Sequence, residues 1–485
     1  MKILNRKMIR SLEKNAAESG IFSYEEMMKN AGDTAFDILA DKYYFKGKRV
    51  LVALGNGNNG GDGAVIAEKL SKICETEIYK PFGDLNSFPA KSFEKSISGI
   101  KKAEAINGKY DFVIDALFGI GLNRPLDLKT QEVIKKLNDL SGIKISVDIP
   151  SGIDCDADFM STAAFKADFT VTFIALKPCF VLPPFNEYSI ETKVADIGIE
   201  PKDFLYKTTY AIYNKRPKNA HKGTFGTALT FCGSYGMCGA SALSAKSALR
   251  SGVGLLRAVV CDRNYTAFSS LVPEAVVSLY KTNEDGFAEI AEKDVISLLN
   301  SANALLFGCG TGCSKKAEDT LKAVIKNSEI PMVLDADGIN IISKDINIIR
   351  ERKAPLIISP HPKEMSRLTG FSVKEIESNR IKAAADFAKE YNLTVILKGA
   401  NTVVACSDGE IFINTTGNSG MATGGSGDVL SGVLVSLLAQ GYSEKEAAVT
   451  AVYIHGLAGD NAAKKLTKRS MIASDLIEEL KFIPY

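Results

Sequence analysis

Apolar runs of strand length alternate with amphipathic stretches through the first part of the chain. The runs are Arg49–Leu54, Thr76–Tyr79, Asp111–Leu117, Lys144–Ile149, Asp168–Leu176 and Lys193–Ile197, and helical patterning separates most of them, as at Ala64–Ile73 and Thr130–Leu140. Strands that are apolar throughout belong in a parallel sheet covered on both faces. The opening stretch 1–20 carries charges along its length and reads as an amphipathic helix. A polar, basic stretch at Tyr206–Gly226 interrupts the pattern, so a boundary is expected near Arg216, giving domains 1–215 and 216–485. Beyond it, strands are expected at Thr227–Cys232, Leu255–Cys261, Ala304–Gly308, Met332–Asp335, Leu356–Ser359, Thr394–Leu397, Thr402–Ala405 and Ile411–Thr415. Long helical patterns cover Lys374–Glu390, Gly427–Gln440 and Glu444–Lys465. Both halves are expected to be α/β domains of three layers.

Composition narrows the function. Lys+Arg at 59 against Asp+Glu at 57 leaves a net charge of +2, which argues against a nucleic-acid partner. No run of about 20 apolar residues occurs, so no membrane span is expected. The N-terminus lacks the apolar core of a signal peptide. Nine cysteines without a C-x-x-C pair read as free thiols of a reducing, cytoplasmic compartment. Three histidines leave little room for a His-rich metal centre.

The segment Leu54–Gly63 follows a strand and opens a helix, with glycine or asparagine at most of its positions. Such residues tolerate positive φ and can turn backbone N–H groups inward, and the helix start adds partial positive charge, so a phosphate is the natural guest. A dinucleotide-binding dehydrogenase would want an acidic residue at the end of the next strand. Here Glu75 and Glu77 lie near its start and the end reads Tyr79-Lys80-Pro81. Asp115 and Asp148 sit at two further strand ends. In a parallel sheet those ends face the same crevice as the glycine turn, so Asn59, Asp115 and Asp148 are expected to converge on a cation or a substrate hydroxyl. Each aspartate taken singly reads as a turn or helix cap.

The second half carries Asn418–Gly432, where Gly425-Ser426-Gly427 precedes Asp428 at the start of a helix. Successive N–H groups there form an anion hole, and the carboxylate beside it can take a proton from a hydroxyl during phosphoryl transfer. Lys398–Thr402 lies between two strands and fits a nucleotide contact. His361 ends a strand between two prolines and is expected to face substrate, and Glu364 is a candidate for placing Mg²⁺ through water.

In this order the motifs resemble those of the bifunctional NAD(P)H-hydrate repair enzymes. The first half resembles the epimerase domain, Rossmann-like, at Met27–Gly32, Asn56–Gly63, Val113–Pro125 and Ser146–Gly152. The second resembles the ADP/ATP-dependent dehydratase, ribokinase-like, at His221–Gly226, Gly233–Ala240, Leu334–Asn340, Ser359–Met365, Leu397–Thr402 and Asn418–Leu430. The resemblance implies that Asn58, Asn59, Gly60, Gly61, Asp62 and the run Gly119, Ile120, Gly121, Leu122, Asn123, Arg124, Pro125 hold the phosphates and sugar of the hydrate. It implies a potassium ion on Asn59, Asp115 and Ser151, and Asp148 as acid/base. In the second half it implies an adenine nucleotide with Mg²⁺ on Lys398, Gly399, Ala400, Asn401, Thr402 and Gly427, and the hydrate against Gly254, Gly312, His361 and Asp428. A lysine of the family's epimerase site has Lys80 as its candidate counterpart, and whether Lys80 takes part stays open here.

The reaction implied is epimerisation of the R and S hydrates of NADH and NADPH at C6, with dehydration of the S hydrate by ADP or ATP, giving AMP and phosphate if ADP is the donor. A homo-oligomer is expected. The rival is a vitamin-precursor kinase of ribokinase-like fold carrying a Rossmann-like binding module.

Overall fold

The computed structural model describes the chain except residues 105, 107, 484 and 485. It divides into two compact units, Met1–Lys207 and Thr208–Tyr485. In the first, a parallel sheet runs in the spatial order Lys101–Lys102, Glu75–Tyr79, Arg49–Leu54, Phe112–Ala116, Ile143–Val147, Ala167–Phe173, Ser189–Ala195. Alternate residues of one strand enter different cores: Val50, Val52 and Leu54 join one cluster, while Leu51 and Ala53 join the other. That is the physical meaning of an unbroken apolar run, since both faces are covered. The helix Tyr24–Lys42 packs on the helix Asn58–Ser71, and a Cβ on Gly32 would lie 2.4 Å from Cβ of Val65. Gly32 is therefore a contact point inside a helix.

In the second unit, the strands Thr394–Leu397, Leu356–Ile358, Met332–Leu334, Ala304–Phe307, Thr227–Phe231, Leu255–Cys261 and Val276–Tyr280 run parallel. Val403–Ala405 and Ile411–Ile413 add antiparallel strands beyond Thr394–Leu397. Leu306, Val333 and Ile357 face one core with the helices Cys238–Arg250, Ser426–Ala439 and Glu444–Lys465, and Leu305, Phe307, Leu334 and Ile358 face the other. The α/β class with layers on both faces is thus present in each unit.

Three elements differ from expectation. The strand Val276–Tyr280 escaped notice because it is half exposed at a sheet edge and lacks an apolar run. The pattern Lys374–Glu390 is two helices, Val373–Ser378 and Arg380–Tyr391, because Asn379 leaves helical geometry at φ −147°, ψ 46°. The division between units falls at Lys207, ahead of Arg216, because the next residues are tied into the second unit. Thr209 N–H donates to the Ile413 carbonyl at 3.1 Å, Ile212 N–H to Thr450 Oγ1 at 3.1 Å and Asn214 N–H to the Tyr442 hydroxyl at 3.0 Å.

Candidate functional sites

In the first unit a cavity of about 460 Å³ opens at the carboxyl ends of the strands. Asn58, Asn59, Asp62, Gly119, Ile120, Gly121, Leu122 and Asp148 line it, joined by Glu13, Phe173, Ile174 and Lys177. Asp148 follows the strand Ile143–Val147 at φ +65°, a left-handed geometry that non-glycine residues seldom adopt and that functional sites retain. Its Oδ2 accepts from Ile120 N–H at 2.9 Å and its Oδ1 from Lys177 Nζ at 2.9 Å. Lys177 is 1% exposed and also donates to the Phe173 carbonyl at 2.9 Å. An ammonium this deeply enclosed is tolerable only beside an opposite charge with its protons satisfied.

Asn59 and Asp148 meet across Gly119, where a Cβ would lie 2.4 Å from Asp148 Oδ2 and 3.1 Å from Asn59 Oδ1. The Asn59 amide donates to the Val147 carbonyl at 3.2 Å, and its buried Oδ1 has no hydrogen-bond partner among the described residues. Asp115 is fully buried, accepting from Ser151 N–H at 2.8 Å, Ser151 Oγ at 2.7 Å and Leu117 N–H at 3.1 Å. Burial pushes its carboxyl up to about 6, against the pull of the Ser151 bonds. An orphaned carbonyl oxygen and a buried carboxylate are oxygen donors of the kind a hard cation takes.

Other expected residues fall differently. Asn123, Arg124 and Pro125 are exposed and do not line the cavity. No glycine between Gly55 and Gly63 has positive φ. All but Gly57 serve close packing instead: a Cβ on Gly60 would lie 1.9 Å from the Gly55 carbonyl oxygen, and one on Gly63 2.4 Å from Ala116 Cβ. The segment is already helical from Asn58, so its N–H groups are those of a helix start. Lys80 pairs with Asp84 and Glu94, and the lysine against Asp148 is Lys177. Motif spacing carries no sign of Lys177; an apolar strand ending in Leu-Lys-Pro, with the lysine taken as buried, is the available hint. Asp154, Asp156 and Asp158 cluster nearby, but Asp154 is engaged by Arg6 and by the N–H groups of Asp156 and Asp158.

In the second unit Gly425 takes φ +89° and starts the helix Ser426–Ala439, with Asp428 in its first turn. Burial and the nearby Asp335 push the Asp428 carboxyl up to about 6. Lys398 donates to Asp335 Oδ1 at 2.5 Å, and Ser431 Oγ donates to Asp335 Oδ2 at 2.6 Å. A Cβ on Gly427 would lie 3.5 Å from Lys398 Nζ, so the helix start and the lysine face the same space. Burial alone would lower the Lys398 ammonium, but Asp335 and Glu364 outweigh it and hold it above its ordinary value. Burial lifts Glu364 to about 7. Buried His455 supports the turn, its Nε2 3.0 Å from the Ser426 carbonyl, and burial pushes it down to about 4, so it stays neutral.

The Lys398–Thr402 loop is braced from behind by Arg380, which donates to the Ala400 carbonyl at 2.8 Å and the Lys398 carbonyl at 3.2 Å. Gly399 is needed there, since its φ is +150° and a Cβ would lie 2.6 Å from the guanidinium. Asn401 takes φ +53° and donates to the Asn414 carbonyl at 3.1 Å, and Thr402 Oγ1 donates to the Gly399 carbonyl at 3.0 Å. His361 caps the helix Pro362–Thr369, accepting from Glu364 N–H at 3.1 Å, with its side chain 44% exposed. Gly312 N–H donates to Asp337 Oδ2 at 2.8 Å with open space where a Cβ would be. Gly254 is not brought to Asp428. It precedes the strand Leu255–Cys261, whereas Asp335, His361 and Lys398 follow theirs, and a Cβ on it would lie 1.7 Å from the Lys222 carbonyl oxygen. Asp335 and His455 were not singled out from the sequence, because each matters through a buried pairing.

The first unit sets a carboxylate in a cavity at its strand ends, and the second gathers Asp335, Lys398 and Asp428 at a helix start, which is the arrangement of an enzyme with two sites. A family model described as NAD(P)H-hydrate dehydratase matches residues 228–481, and one described as YjeF-related protein N-terminus matches residues 24–179. The chain is 32% identical to the bifunctional NAD(P)H-hydrate repair enzyme of Moorella thermoacetica, over 95% of this chain and 91% of that protein. It is 31% identical to that of Escherichia coli, over 98% and 92%. Among solved structures, the ADP/ATP-dependent NAD(P)H-hydrate dehydratase of Bacillus subtilis, co-crystallised with ATP and Mg²⁺, is 29% identical with a TM-score of 0.49, covering 56% of this chain and 92% of that one. The chain belongs to the family of bifunctional NAD(P)H-hydrate repair enzymes, an epimerase unit followed by a nucleotide-dependent dehydratase unit.

Proposed function

We propose that the first cavity interconverts the C6 epimers of hydrated NADH and NADPH with Asp148 as acid/base, and that the second site dehydrates the S epimer with Asp428 as proton acceptor. The observation that carries the reading is the clamped Asp148 carboxylate, set at a strained backbone position inside a cavity sized for a ring and its substituents. At the second site the C6 hydroxyl gives its proton to Asp428 and attacks the terminal phosphoryl group, while the Gly425–Gly427 N–H groups and Lys398 hold the developing charge. The N1 lone pair then expels phosphate, and loss of a C5 proton restores the dihydropyridine. With ADP the other product is AMP.

Asn59, Asp115 and Ser151 would hold a potassium ion, whose charge would satisfy the orphaned Asn59 oxygen. Glu364, with Asp335 near it on Lys398, would hold Mg²⁺, which would neutralise phosphate charge. Lys398–Thr402 and Gly427 would hold the nucleotide. Among the described residues no helix is long and apolar enough to cross a membrane, and the reading places the enzyme in the cytoplasm as a homo-oligomer. The test is one assay: hydrated NADH, Mg²⁺, and ADP or ATP, following absorbance recovery, phosphate release and epimer ratio. A stable phosphorylated product without recovered NADH would favour a kinase instead.

A further inference from the structure

The epimerase cavity holds more acid than Asp148 uses. Glu13, on the helix Arg6–Glu18, lines it from a second element, and Asp62 lines it from the helix Asn58–Ser71. Asp148 is held on both oxygens, by Ile120 N–H and by Lys177, and its backbone is fixed, so it cannot swing between two faces of a ring. The Glu13 carboxyl has no hydrogen-bond or ion-pair partner among the described residues.

Inverting C6 needs proton transfer on both faces. The N1 lone pair forms the C6=N1 bond as the C6–O bond breaks, and the departing oxygen takes a proton from a carboxyl group and leaves as water. A water on the other face adds to C6, the C=N electrons return to N1, and a carboxylate takes the proton that the new hydroxyl sheds. Carboxyl and carboxylate have then traded places, ready for the opposite epimer.

We propose that Glu13 is the second acid–base group of this cavity, serving the face of C6 that Asp148 does not reach. The inference rests on the epimerase reading above. The charged groups facing Glu13 are Asp148, Asp62, Lys177 and Arg10. Burial, with the negative charge of Asp148, lifts its carboxyl to about 7 against Lys177 and Arg10, so the protonated form is well populated at neutral pH beside a carboxylate paired with Lys177. The pair works with one proton between them, so exchange falls as pH rises through about 7 and that proton is lost.

The test uses the full chain and a single hydrate epimer without nucleotide, following epimer exchange by chromatography. Glu13→Gln is expected to slow exchange by about 100-fold. Glu13→Asp is expected to retain part of the rate with its fall at high pH, and both variants keep nucleotide-dependent dehydration and the wild-type unfolding temperature. Exchange by Glu13→Gln within about twofold of wild type across the pH profile overturns the proposal, as does equal loss in both variants with a lowered unfolding temperature. An Asp62→Asn variant that alone abolishes the high-pH fall reassigns the role to Asp62 and also overturns it. Absence of exchange in the wild-type chain sinks the epimerase reading itself.

Discussion

Asp148 directly follows a strand and Asp428 sits in the first turn of a helix, and their surroundings differ in kind. Asp148 is neutralised by an enclosed lysine and pinned by a backbone N–H. Asp428 has no salt bridge among the described residues, and its charge is opposed by burial and by Asp335. The first arrangement holds the carboxylate at one position. The second keeps a base whose affinity for a proton is raised, which suits a group that must accept one during the reaction.

The sharpest break of this comparison is Asp428→Asn. It is expected to lower dehydration about 1000-fold, read as recovered absorbance and phosphate, while leaving epimer exchange untouched. Next comes Lys177→Met, which leaves Asp148 buried and unpaired. Destabilisation of about 3–5 kcal/mol is expected in urea unfolding, with loss of exchange, and adding Asp148→Asn should restore part of the stability. Gly119→Ala drives a methyl onto Asp148 Oδ2 and should slow exchange about tenfold with little change in dehydration. The smallest effect is in pH. Dehydration should fall about tenfold per unit as pH drops below about 6, where Asp428 takes up a proton, measured as kcat/KM against pH. Equal pH limbs for the two activities would erase the distinction between the two aspartates.

Most strands were legible because both faces of each sheet are covered, which leaves a run of apolar residues such as Arg49–Leu54 that ends where the burial ends. The site loops were legible as places, since glycines cluster where helices start. Their physics was legible only in part: Gly425 does need its left-handed geometry, whereas Gly60 and Gly63 are there because other atoms occupy the space of a side chain. Lys177, Asp335 and His455 could not be read from spacing, because their meaning lies in partners far along the chain. Asp335 pairs with Lys398 and Ser431, and His455 with the Ser426 carbonyl. Val276–Tyr280 was missed for the converse reason, as an edge strand with too little burial to print a pattern.

The tether at Thr209, Ile212 and Asn214 has a practical consequence for anyone dividing the polypeptide. A cut at Arg216 would strip the carboxy-terminal piece of three ties and leave the Ile413 carbonyl, Thr450 and the Tyr442 hydroxyl short of their donors. Severing the gene after Lys207 instead keeps this short clasp with the dehydratase, so the better place to separate the two enzymes is the one the polar composition of the linker does not advertise.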